Sequence, residues 1–487
     1  MQTILFNYGV EFPCGGRGTC HSCKIKILDG SSAVTVDDKK AFDDNELSEG
    51  WRLACRSFPT DNITIEIPQW ELNALSDSSQ FSFFPRDGYG IAVDLGSTTI
   101  VAQLIDLQSG SVCGVQSELN EQAIYGADVM SRIEYILGNQ GTSLTAMTRR
   151  QLYRLCKSLL HSSRIEIHRL QEVIICGNTV MHHIFHGYDV TSLSRIPFMP
   201  KKDSFTILHL SPSDIEWQDF SENLDIVFLP GIGGLVGSDI SLGIIAMNMH
   251  KNDDITCLID LGTNGEIVIG NKDRLLCTST AAGPAFEGAR ISMGMQATTG
   301  AIYKVERNGN DISFSTFGNS SPRGICGSGL VDAAATGLSL GIIHSNGRLH
   351  PRHSPWILAR NVTIIQKDIR ELQLAKSAIS TGIKILLDRL RANVEDVKTA
   401  YLAGGLGNSV NPDSAYQIGL YPFDPGIVVN AGNTALHGVK LHLFADTHQS
   451  VNEILPIAET ISLNEHPEFT NLLIDEMAFP SDREGST

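Results

Sequence analysis

Apolar and polar residues follow the same order in two distant parts of the chain. An apolar run that ends at Asp94-Leu95 and another that ends at Asp260-Leu261 are each followed by a tight turn and two further apolar segments. The predicted strands are residues 91–95, 99–106 and 111–117 in the first copy, and residues 256–261, 266–270 and 274–278 in the second copy. Each copy therefore predicts a β-meander, and Asn264-Gly265 adds a strong hairpin signal to the second.

Helical sequence lies between the two meanders, including residues 144–165 and 238–249. Two meanders with helices between and after them predict two α/β halves that face each other. We expect the chain to have three parts, namely a compact unit at residues 1–68, a linker at residues 69–87 and the two-lobed region at residues 88–487.

The two N-terminal parts carry weaker patterns. The compact unit ends in residues 63–67, whose alternation of apolar and polar side chains predicts a half-buried edge strand. The linker has no clear period, and we expect it to dock through Phe81, Phe83 and Phe84.

Composition and charge narrow the class of protein. The chain has 487 residues, of which 42% are hydrophobic, and a formal net charge of −17. This charge argues against a nucleic-acid partner and against an anionic membrane surface, because both select clusters of Lys and Arg. We see no secretory signal and no apolar run of spanning length, so we expect a cytoplasmic protein. Six of the ten cysteines stand singly in apolar segments and are predicted to lie in the core: 113, 156, 176, 257, 277 and 326.

The other four cysteines are spaced as cluster ligands. Cys14, Cys20 and Cys23 form a C-x5-C-x2-C pattern in a glycine-rich stretch, and Cys55 follows 32 residues after Cys23. Glycines let a loop wrap inorganic sulfide closely, as a 2Fe-2S cluster requires. A structural zinc site, which usually draws on two separated C-x2-C pairs, is the alternative, and a disulfide set is a further one.

Two short motifs are suited to bind phosphate. In both, an apolar strand ends in an aspartate, Asp94 or Asp260, which can hold Mg²⁺ directly or through water. The turns that follow present backbone N–H and hydroxyl groups to phosphate oxygens, and they comprise Gly96, Ser97, Thr98 and Thr99 in the first motif and Gly262, Thr263, Asn264 and Gly265 in the second. The alternative for each motif alone is an ordinary strand end with a capping aspartate.

A third motif is suited to bind a nucleoside. Residues 400–408 form an apolar strand that runs into Gly404 and Gly405, where adenine and ribose could approach bare backbone. The alternative is a plain strand–turn–helix connection.

Taken together, these motifs resemble known families. Residues 14–55 are similar to a 2Fe-2S ferredoxin domain of the vertebrate or plant type. Only residues 3–12 remain to supply the helix before the cluster loop, so we expect an α+β ferredoxin-like domain that is shortened at its N-terminus. The order of the phosphate and glycine motifs resembles the superfamily of actin, heat-shock chaperones and sugar kinases (ASKHA), which implies a two-lobed α/β ATPase domain.

The same superfamily resemblance points to two helix starts and a further aspartate. Residues 237–240 and 432–436 open helices at the positions where the superfamily has connecting helices. Asp239 lies where the superfamily often has a polar residue that orients the attacking water or hydroxyl. The alternative is an acidic residue that only interacts with the helix dipole.

Four further stretches resemble one branch of the superfamily, the ferredoxin-fused ATPases that reductively activate corrinoid proteins. They are residues 176–183, 282–289, 324–330 and 465–469. The resemblance implies a 2Fe-2S cluster, ATP and Mg²⁺ as cofactors, and transfer of one electron that returns Co(II) to Co(I). It also implies a corrinoid protein as partner, a ferredoxin or flavodoxin as electron donor and a homodimer. The corrinoid-binding D-x-H-x-x-G pattern is absent, so we expect cobalt on the partner.

Three alternatives stay open at this point. The chain could be a small-molecule kinase with a regulatory ferredoxin unit, or a redox-gated protein that holds ATP without turnover. His182 and His186, four residues apart, could chelate a metal, although a helix that packs behind residues 177–179 explains them better.

Overall fold

The computed structural model describes residues 18, 23–59, 61–66, 83–126, 128–139, 142–196, 198–262, 264–288, 290–407, 409–444 and 448–480. Among these residues, none of the helices has the length and apolar character that crossing a membrane requires.

A small antiparallel sheet forms the N-terminal unit. Its elements are β1 (Lys24–Asp29), α1 (Asp38–Ala41), α2 (Asp44–Ser48), β2 (Trp51–Leu53) and β3 (Thr64–Glu66), with strand order β2-β1-β3. Ile25 and Leu53 are fully buried between the sheet and the short helices. Asp38 joins helix to sheet, because its carboxylate accepts a hydrogen bond from the Leu53 backbone N–H at 2.7 Å. The predicted strand at 63–67 is confirmed as β3, whereas the predicted helix at 3–12 lies outside the described residues.

The first lobe follows as a six-stranded mixed sheet with helices. Its elements are β4 (Tyr89–Leu95), β5 (Thr99–Asp106), β6 (Val112–Leu119), α3 (Val129–Asn139), α4 (Thr142–Ser162), β7 (Leu170–Gly177), α5 (Thr179–His186), β8 (Leu208–Leu210), β9 (Asp225–Phe228) and α6 (Ser238–Ala246). The strand order is β6-β5-β4-β7-β9-β8. Strands β4, β5 and β6 form the predicted meander, and β7 and β9 extend it in parallel.

The second lobe repeats this design with an inserted layer. Its strands are β10 (Ile255–Leu261), β11 (Gly265–Gly270), β12 (Leu275–Thr280), β13 (Ala301–Asn308), β14 (Asp311–Thr316), β15 (Gly324–Ile325), β16 (Trp356–Ala359), β17 (Val362–Ile364), β18 (Val397–Ala403), β19 (Val428–Gly432) and β20 (Ala458–Thr460). Its helices are α7 (Gly327–Ser339), α8 (Gln366–Leu390), α9 (Gly404–Gly407), α10 (Pro412–Gln417), α11 (Thr434–Phe444), α12 (His448–Ile454) and α13 (Phe469–Asp475). The main sheet has the order β19-β18-β10-β11-β12-β20, in which β10–β12 form the second meander and β18 and β19 extend it in parallel.

The predicted two-lobed α/β architecture is confirmed, and two local expectations are wrong. Phe83 does dock, with its ring 4.5 Å from that of Phe444. Phe84, by contrast, is 90% exposed, and Phe81 lies outside the described residues. Cys113 is exposed, because it lies on edge strand β6 with its side chain turned away from the core, whereas the other five scattered cysteines are buried as expected.

Candidate functional site

The first predicted phosphate turn joins β4 to β5 and is closed by its own backbone. The N–H of Gly96 donates to the carbonyl of Thr99 at 3.1 Å. A Cβ atom at Gly96 would lie 2.5 Å from that carbonyl oxygen, so glycine is required there. The side chain and backbone of Asn120 support the turn, donating to the carbonyls of Gly96 and Thr98 at 2.8 Å each. Ser97, Thr98 and Thr99 are half-buried, as residues that line a cleft should be.

Two further side chains support the same turn. Asn178, which caps α5, donates from Nδ2 to Ser97 Oγ at 2.9 Å. The buried guanidinium of Arg132 donates to the Ser97 carbonyl. Burial lowers the pKa of Arg132 to about 9, which leaves it cationic at neutral pH. The turn therefore lies beside a fixed positive charge, which favours the binding of an anion to the turn.

The second predicted turn joins β10 to β11. The N–H of Gly262 donates to the carbonyl of Asn264 at 3.1 Å. Gly265 lies opposite Leu261 in the ladder and packs against Ile379 of α8, where a Cβ atom would come within 2.0 Å of the isoleucine methyl. Thr263, also predicted for this turn, lies outside the described residues.

The glycine motif after β18 meets the second turn. Gly404 has a φ of +81°, and a Cβ atom there would lie 2.4 Å from Asp260 Oδ1. Gly405 is exposed, and a Cβ atom there would have no described heavy atom within 4 Å. The fold thus brings the third motif to the second and leaves open space over Gly405.

Three predicted aspartates come together where the two lobes meet, a region that we call the cleft. Burial raises the pKa of Asp94 to about 6, against the opposing effect of a 3.0 Å hydrogen bond from Asn433 Nδ2. Burial raises the pKa of Asp260 to about 7, and the charge of Asp94 adds to the rise. Asp239, in the first turn of α6, has its pKa raised to about 7 by burial and by the charges of Asp94 and Asp260. Asp94 and Asp239 belong to the first lobe and Asp260 to the second.

The structure adds two polar residues that were not among the predicted site residues. Glu266 is 8% exposed, and burial together with the charges of Asp239 and Asp260 raises its pKa well above the usual range. The sequence signal for it was a glutamate in the otherwise apolar strand β11. Asn433 reaches Asp94 from the start of α11, and no local pattern could have paired residues 339 positions apart.

Two of the four predicted cluster ligands lie within the described residues and are adjacent. Cys23 and Cys55 are both buried in the N-terminal unit. The backbone N–H of Cys55 points at Cys23 Sγ, 3.5 Å away. N–H groups directed at cysteine sulfur tune iron–sulfur centres, so this pair fits such a group. Cys14 and Cys20 lie outside the described residues.

The histidine pair on α5 is part of the core. His182 is 2% exposed, and its ring packs 4.4 Å from that of His186 and 4.8 Å from that of Phe228. Burial lowers the pKa of His182 to about 2, so it is neutral. The interpretation of this helix as packing is confirmed.

Comparisons with known proteins find relatives for each part of the chain. Family models match three successive parts of the chain: residues 3–60 match a 2Fe-2S iron–sulfur cluster binding domain, residues 89–252 the RACo middle region, and residues 254–486 the C-terminal domain of RACo, the ASKHA domain. A solved structure described as a reductive activator for corrinoid, iron–sulfur protein superposes with a TM-score of 0.74 at 25% identity, covering 98% of this chain and 95% of that one.

Two curated relatives cover most of the chain. The corrinoid activation enzyme RamQ of Eubacterium limosum is 33% identical over 414 residues, which are 78% of this chain and 68% of the relative. The Co(II) methylated amine-specific corrinoid protein reductase of Methanosarcina barkeri is 25% identical over 381 residues, which are 72% of this chain and 68% of the relative. The chain therefore belongs to the family of reductive activators of corrinoid proteins, in which a 2Fe-2S ferredoxin domain is fused to an ASKHA-type ATPase domain.

Proposed function

We propose that this protein couples ATP hydrolysis to the one-electron reduction of a corrinoid protein, returning inactive Co(II) to Co(I). The single observation behind the proposal is the meeting of Asp94, Asp239 and Asp260 from both lobes in one cleft, in a chain that also pairs buried Cys23 and Cys55. The reaction balances as one electron taken from a ferredoxin or flavodoxin and delivered to cobalt, with ATP and water giving ADP and phosphate.

Asp94 and Asp260 are suited to hold Mg²⁺ with the nucleotide. No three His, Cys, Asp or Glu side chains in the described part of the chain are arranged to hold a metal ion by themselves. Mg²⁺ in phosphate-transfer sites usually needs only one or two carboxylates and takes its other ligands from water and substrate phosphates. The two aspartates, supported by Glu266 behind them, would supply that share, and the two backbone turns would bind the phosphate oxygens.

Asp239 is placed to orient the attacking water. Its pKa of about 7 lies near the value at which a carboxylate can accept a proton at neutral pH. A helix acid that only balances the dipole would be exposed and would keep its ordinary pKa, whereas Asp239 is held beside two other aspartates. We therefore assign Asp239 to water activation, and Gly404 and Gly405 to the nucleoside.

The N-terminal unit would carry the electron. Cys23 and Cys55, with Cys14 and Cys20, would hold the 2Fe-2S cluster, which when bound supplies a one-electron carrier of low potential. A potential shortfall of about 100 mV corresponds to only ~2.3 kcal/mol per electron, which ATP hydrolysis can supply. Nucleotide-dependent affinity for the Co(II) form of the partner would provide the coupling, since a ligand drives a step only through differential binding.

The decisive experiment is anaerobic. The holoprotein, a chemical reductant and a Co(II) corrinoid protein are mixed with and without ATP and Mg²⁺, and the Co(I) absorption spectrum is recorded. We expect Co(I) only with ATP, loss of this signal in Asp260→Asn, and retention in Asp254→Asn, an exposed aspartate just before β10. Equal Co(I) formation without ATP would overturn the coupling, and no Co(I) under any condition would overturn the reduction.

The electron donor, the homodimer, the cytoplasmic location and the domain limits at 68 and 87 stay predictions. Co-purification tests the electron donor, light scattering tests the homodimer, and limited proteolysis tests the domain limits.

A further inference from the structure

The cysteine-bearing unit packs directly on the first lobe. Leu119, the last residue of edge strand β6, is 5% exposed and shares one apolar cluster with Cys23, Leu53 and Cys55 of the N-terminal unit. Ala123 and Ile124 pack against the same cluster. The end of β6 therefore forms part of the immediate surroundings of two predicted cluster ligands.

The residue after Leu119 supports the first phosphate turn. Asn120 is fully buried, and its side chain and backbone N–H donate to the carbonyls of Gly96 and Thr98 at 2.8 Å each. Leu119, which packs against the cysteines, and Asn120, which supports the phosphate turn, are therefore consecutive residues. A displacement of the turn on nucleotide binding must act on Asn120, and through it on Leu119.

A second connection reaches the other lobe from the residue next to Cys23. Lys24 Nζ donates to the carbonyl of Ser292 at 3.1 Å. The N–H of Ser292 donates to the buried carboxylate of Asp368 at 2.7 Å. Asp368 also accepts from the backbone N–H of Ile365 at 2.9 Å and so fixes the start of α8.

Helix α8 continues to the second phosphate turn. Ile379, near its middle, touches Gly265 so closely that no side chain fits at the glycine. The N-terminal unit is therefore attached to both lobes. One attachment reaches the first phosphate turn through the next residue, and the other reaches the second turn along α8, from Asp368 to Ile379.

We propose that Leu119, Asn120 and Lys24 are positioning residues that transmit nucleotide occupancy of the cleft to the cysteine face of the N-terminal unit. Closing of the lobes on a nucleotide moves the two attachments relative to each other, and the surroundings of Cys23 and Cys55 change. This inference rests on the nucleotide and cluster sites of the proposed function, and it is independent of cobalt as the electron acceptor.

The test is spectroscopic and needs no corrinoid protein. Reduced holoprotein is measured by electron paramagnetic resonance, and its cluster midpoint potential is titrated, with no nucleotide, with Mg·ADP and with a non-hydrolysable Mg·ATP analogue. We expect the nucleotide to change the spectrum and the potential of the wild-type protein. The change should be largely lost in Leu119→Ala and Lys24→Gln, with nucleotide affinity altered by less than roughly threefold.

Matched controls lie on the same strands. Val115→Ala alters an exposed residue of β6 on the same face as Leu119. Lys26→Gln alters a lysine of β1 whose ion pair among the described residues lies within the N-terminal unit, with Glu49 at 3.0 Å. Both controls should keep the nucleotide-induced change. Because Lys24→Gln also removes a charge beside Cys23, the quantity compared is the change on adding nucleotide, not the potential itself.

The outcomes separate this inference from the proposed function. The transmission would be overturned if nucleotide changed neither the spectrum nor the potential of the wild-type protein, or if the variants responded like wild type. Either result would count even if Co(I) still forms with ATP. If iron analysis shows that Leu119→Ala loses its cluster, the comparison of Lys24→Gln with Lys26→Gln carries the test. Hydrogen exchange at residues 119–124, slowed by nucleotide in wild type but not in Lys24→Gln, gives a second readout.

Discussion

At the scale of single residues, the cleft is dominated by carboxyl groups that burial keeps partly protonated. Asp94, Asp239 and Asp260 have pKa values of about 6, 7 and 7, against an ordinary value of 3.8. Three ionised carboxylates in such a place repel one another and lose hydration. A bound cation relieves both effects, as the Mg²⁺ proposed for this cleft would do.

The first prediction concerns pH. Between the unfolded pKa near 3.8 and the folded values of about 6 to 7, the folded state binds more protons than the unfolded state. The free energy of unfolding of the Mg²⁺-free protein should therefore fall as pH rises from 5 to 8, by on the order of 1–3 kcal/mol for each raised carboxyl group. Denaturant titration at each pH measures this, and Asp239→Asn should flatten the dependence.

The control for the pH prediction is Asp254→Asn, which removes an exposed carboxylate and should leave the slope of stability against pH unchanged. Mg·ATP should raise stability most at pH 8, where the carboxylates are ionised. An Asp239→Asn slope equal to that of wild type would show that Asp239 does not titrate in this window.

The second prediction compares neighbouring glycines. Gly404→Ala places a Cβ atom at a φ of +81° and 2.4 Å from Asp260 Oδ1, so we expect a loss of about 2–4 kcal/mol in the free energy of unfolding. In Gly405→Ala the added Cβ atom would point into open space, so the free energy of unfolding should change by less than about 1 kcal/mol. If the nucleoside lies over Gly405, this variant should weaken ATP binding at least about fivefold. Calorimetric titration measures that affinity, and unchanged binding would place the nucleoside elsewhere.

Much of the site could be predicted because its signals are local. Asp94 and Asp260 end apolar strands, and Gly404 follows another, so strand periodicity alone locates them. Arg132 and Asn120 could not be found, because each reaches the site through tertiary packing and stands in no motif of its own. Asn433 lies in the predicted helix start at 432–436, but its contact with Asp94 depends on the fold. A buried arginine on a helix looks like a surface arginine until the fold places it.

At the scale of elements, α6 and α11 form the contact at the centre of the molecule. Gly243 of α6 and Gly438 of α11 allow the approach, because a Cβ atom at Gly438 would lie 2.4 Å from the carbonyl of Leu242 of α6, and one at Gly243 would lie 3.1 Å from Thr434 Oγ1 of α11. Asp239 stands at the start of α6 and Asn433 just before α11. The helix contact therefore sets the distance between a proposed catalytic aspartate and the residue that binds Asp94.

The third prediction tests this helix contact. Gly438→Ala gains up to about 1 kcal/mol of helix propensity but loses about 1–3 kcal/mol through overpacking against the backbone of α6. We expect net destabilisation and slower ATP hydrolysis. The control is Gly138→Ala, at an exposed position of α3 where a Cβ atom would have no described heavy atom within 4 Å, and it should be neutral or stabilising by up to about 1 kcal/mol. Thermal unfolding and phosphate release measure both, and a Gly438→Ala protein as stable and active as wild type would refute the close-contact argument.

Sequence patterns located the elements of the two meanders but not the inserted layers. Predicted and observed strand ends differ by at most two residues, as for 111–117 against Val112–Leu119. Strands β13 to β17 were not predicted, because their sequences lack a regular alternation of apolar and polar residues. Strand β13, for example, begins with two buried residues and ends in three exposed ones. Phe84 shows the limit of composition, because an aromatic residue in a linker docks only if a partner surface lies opposite, as Phe444 does for Phe83.

At the scale of the whole molecule, the chain has three parts, namely the N-terminal unit and two lobes that meet at the cleft. The lobes carry equivalent sheets, each with its phosphate turn at the inner end, and the N-terminal unit contacts both. Its attachments are unequal in kind, an apolar contact at Leu119 and polar links at Lys24 and between Arg323 and Glu66 at 3.4 Å. The exposed Arg323–Glu66 pair contributes little on its own, so among the described residues the attachment depends mainly on the apolar cluster at Leu119, Ala123 and Ile124 and on Lys24.

The fourth prediction concerns the opening of the lobes, which the carboxylates control from opposite sides. Asp94 and Asp239 on one lobe and Asp260 and Glu266 on the other repel when ionised, so the nucleotide-free protein should be more open at pH 8 than at pH 5.5. Mg·ATP analogue should close it. Small-angle X-ray scattering should show a radius of gyration that falls by a few per cent of the roughly 23 Å expected for a compact chain of this length, either on lowering the pH or on adding Mg·nucleotide.

The Asp94→Asn, Asp260→Asn double variant should be less sensitive to pH, and the Asp254→Asn control should behave as wild type. If neither pH nor nucleotide changes the scattering, electrostatic repulsion does not set the opening, and transmission to the cysteines would have to occur without movement of the lobes.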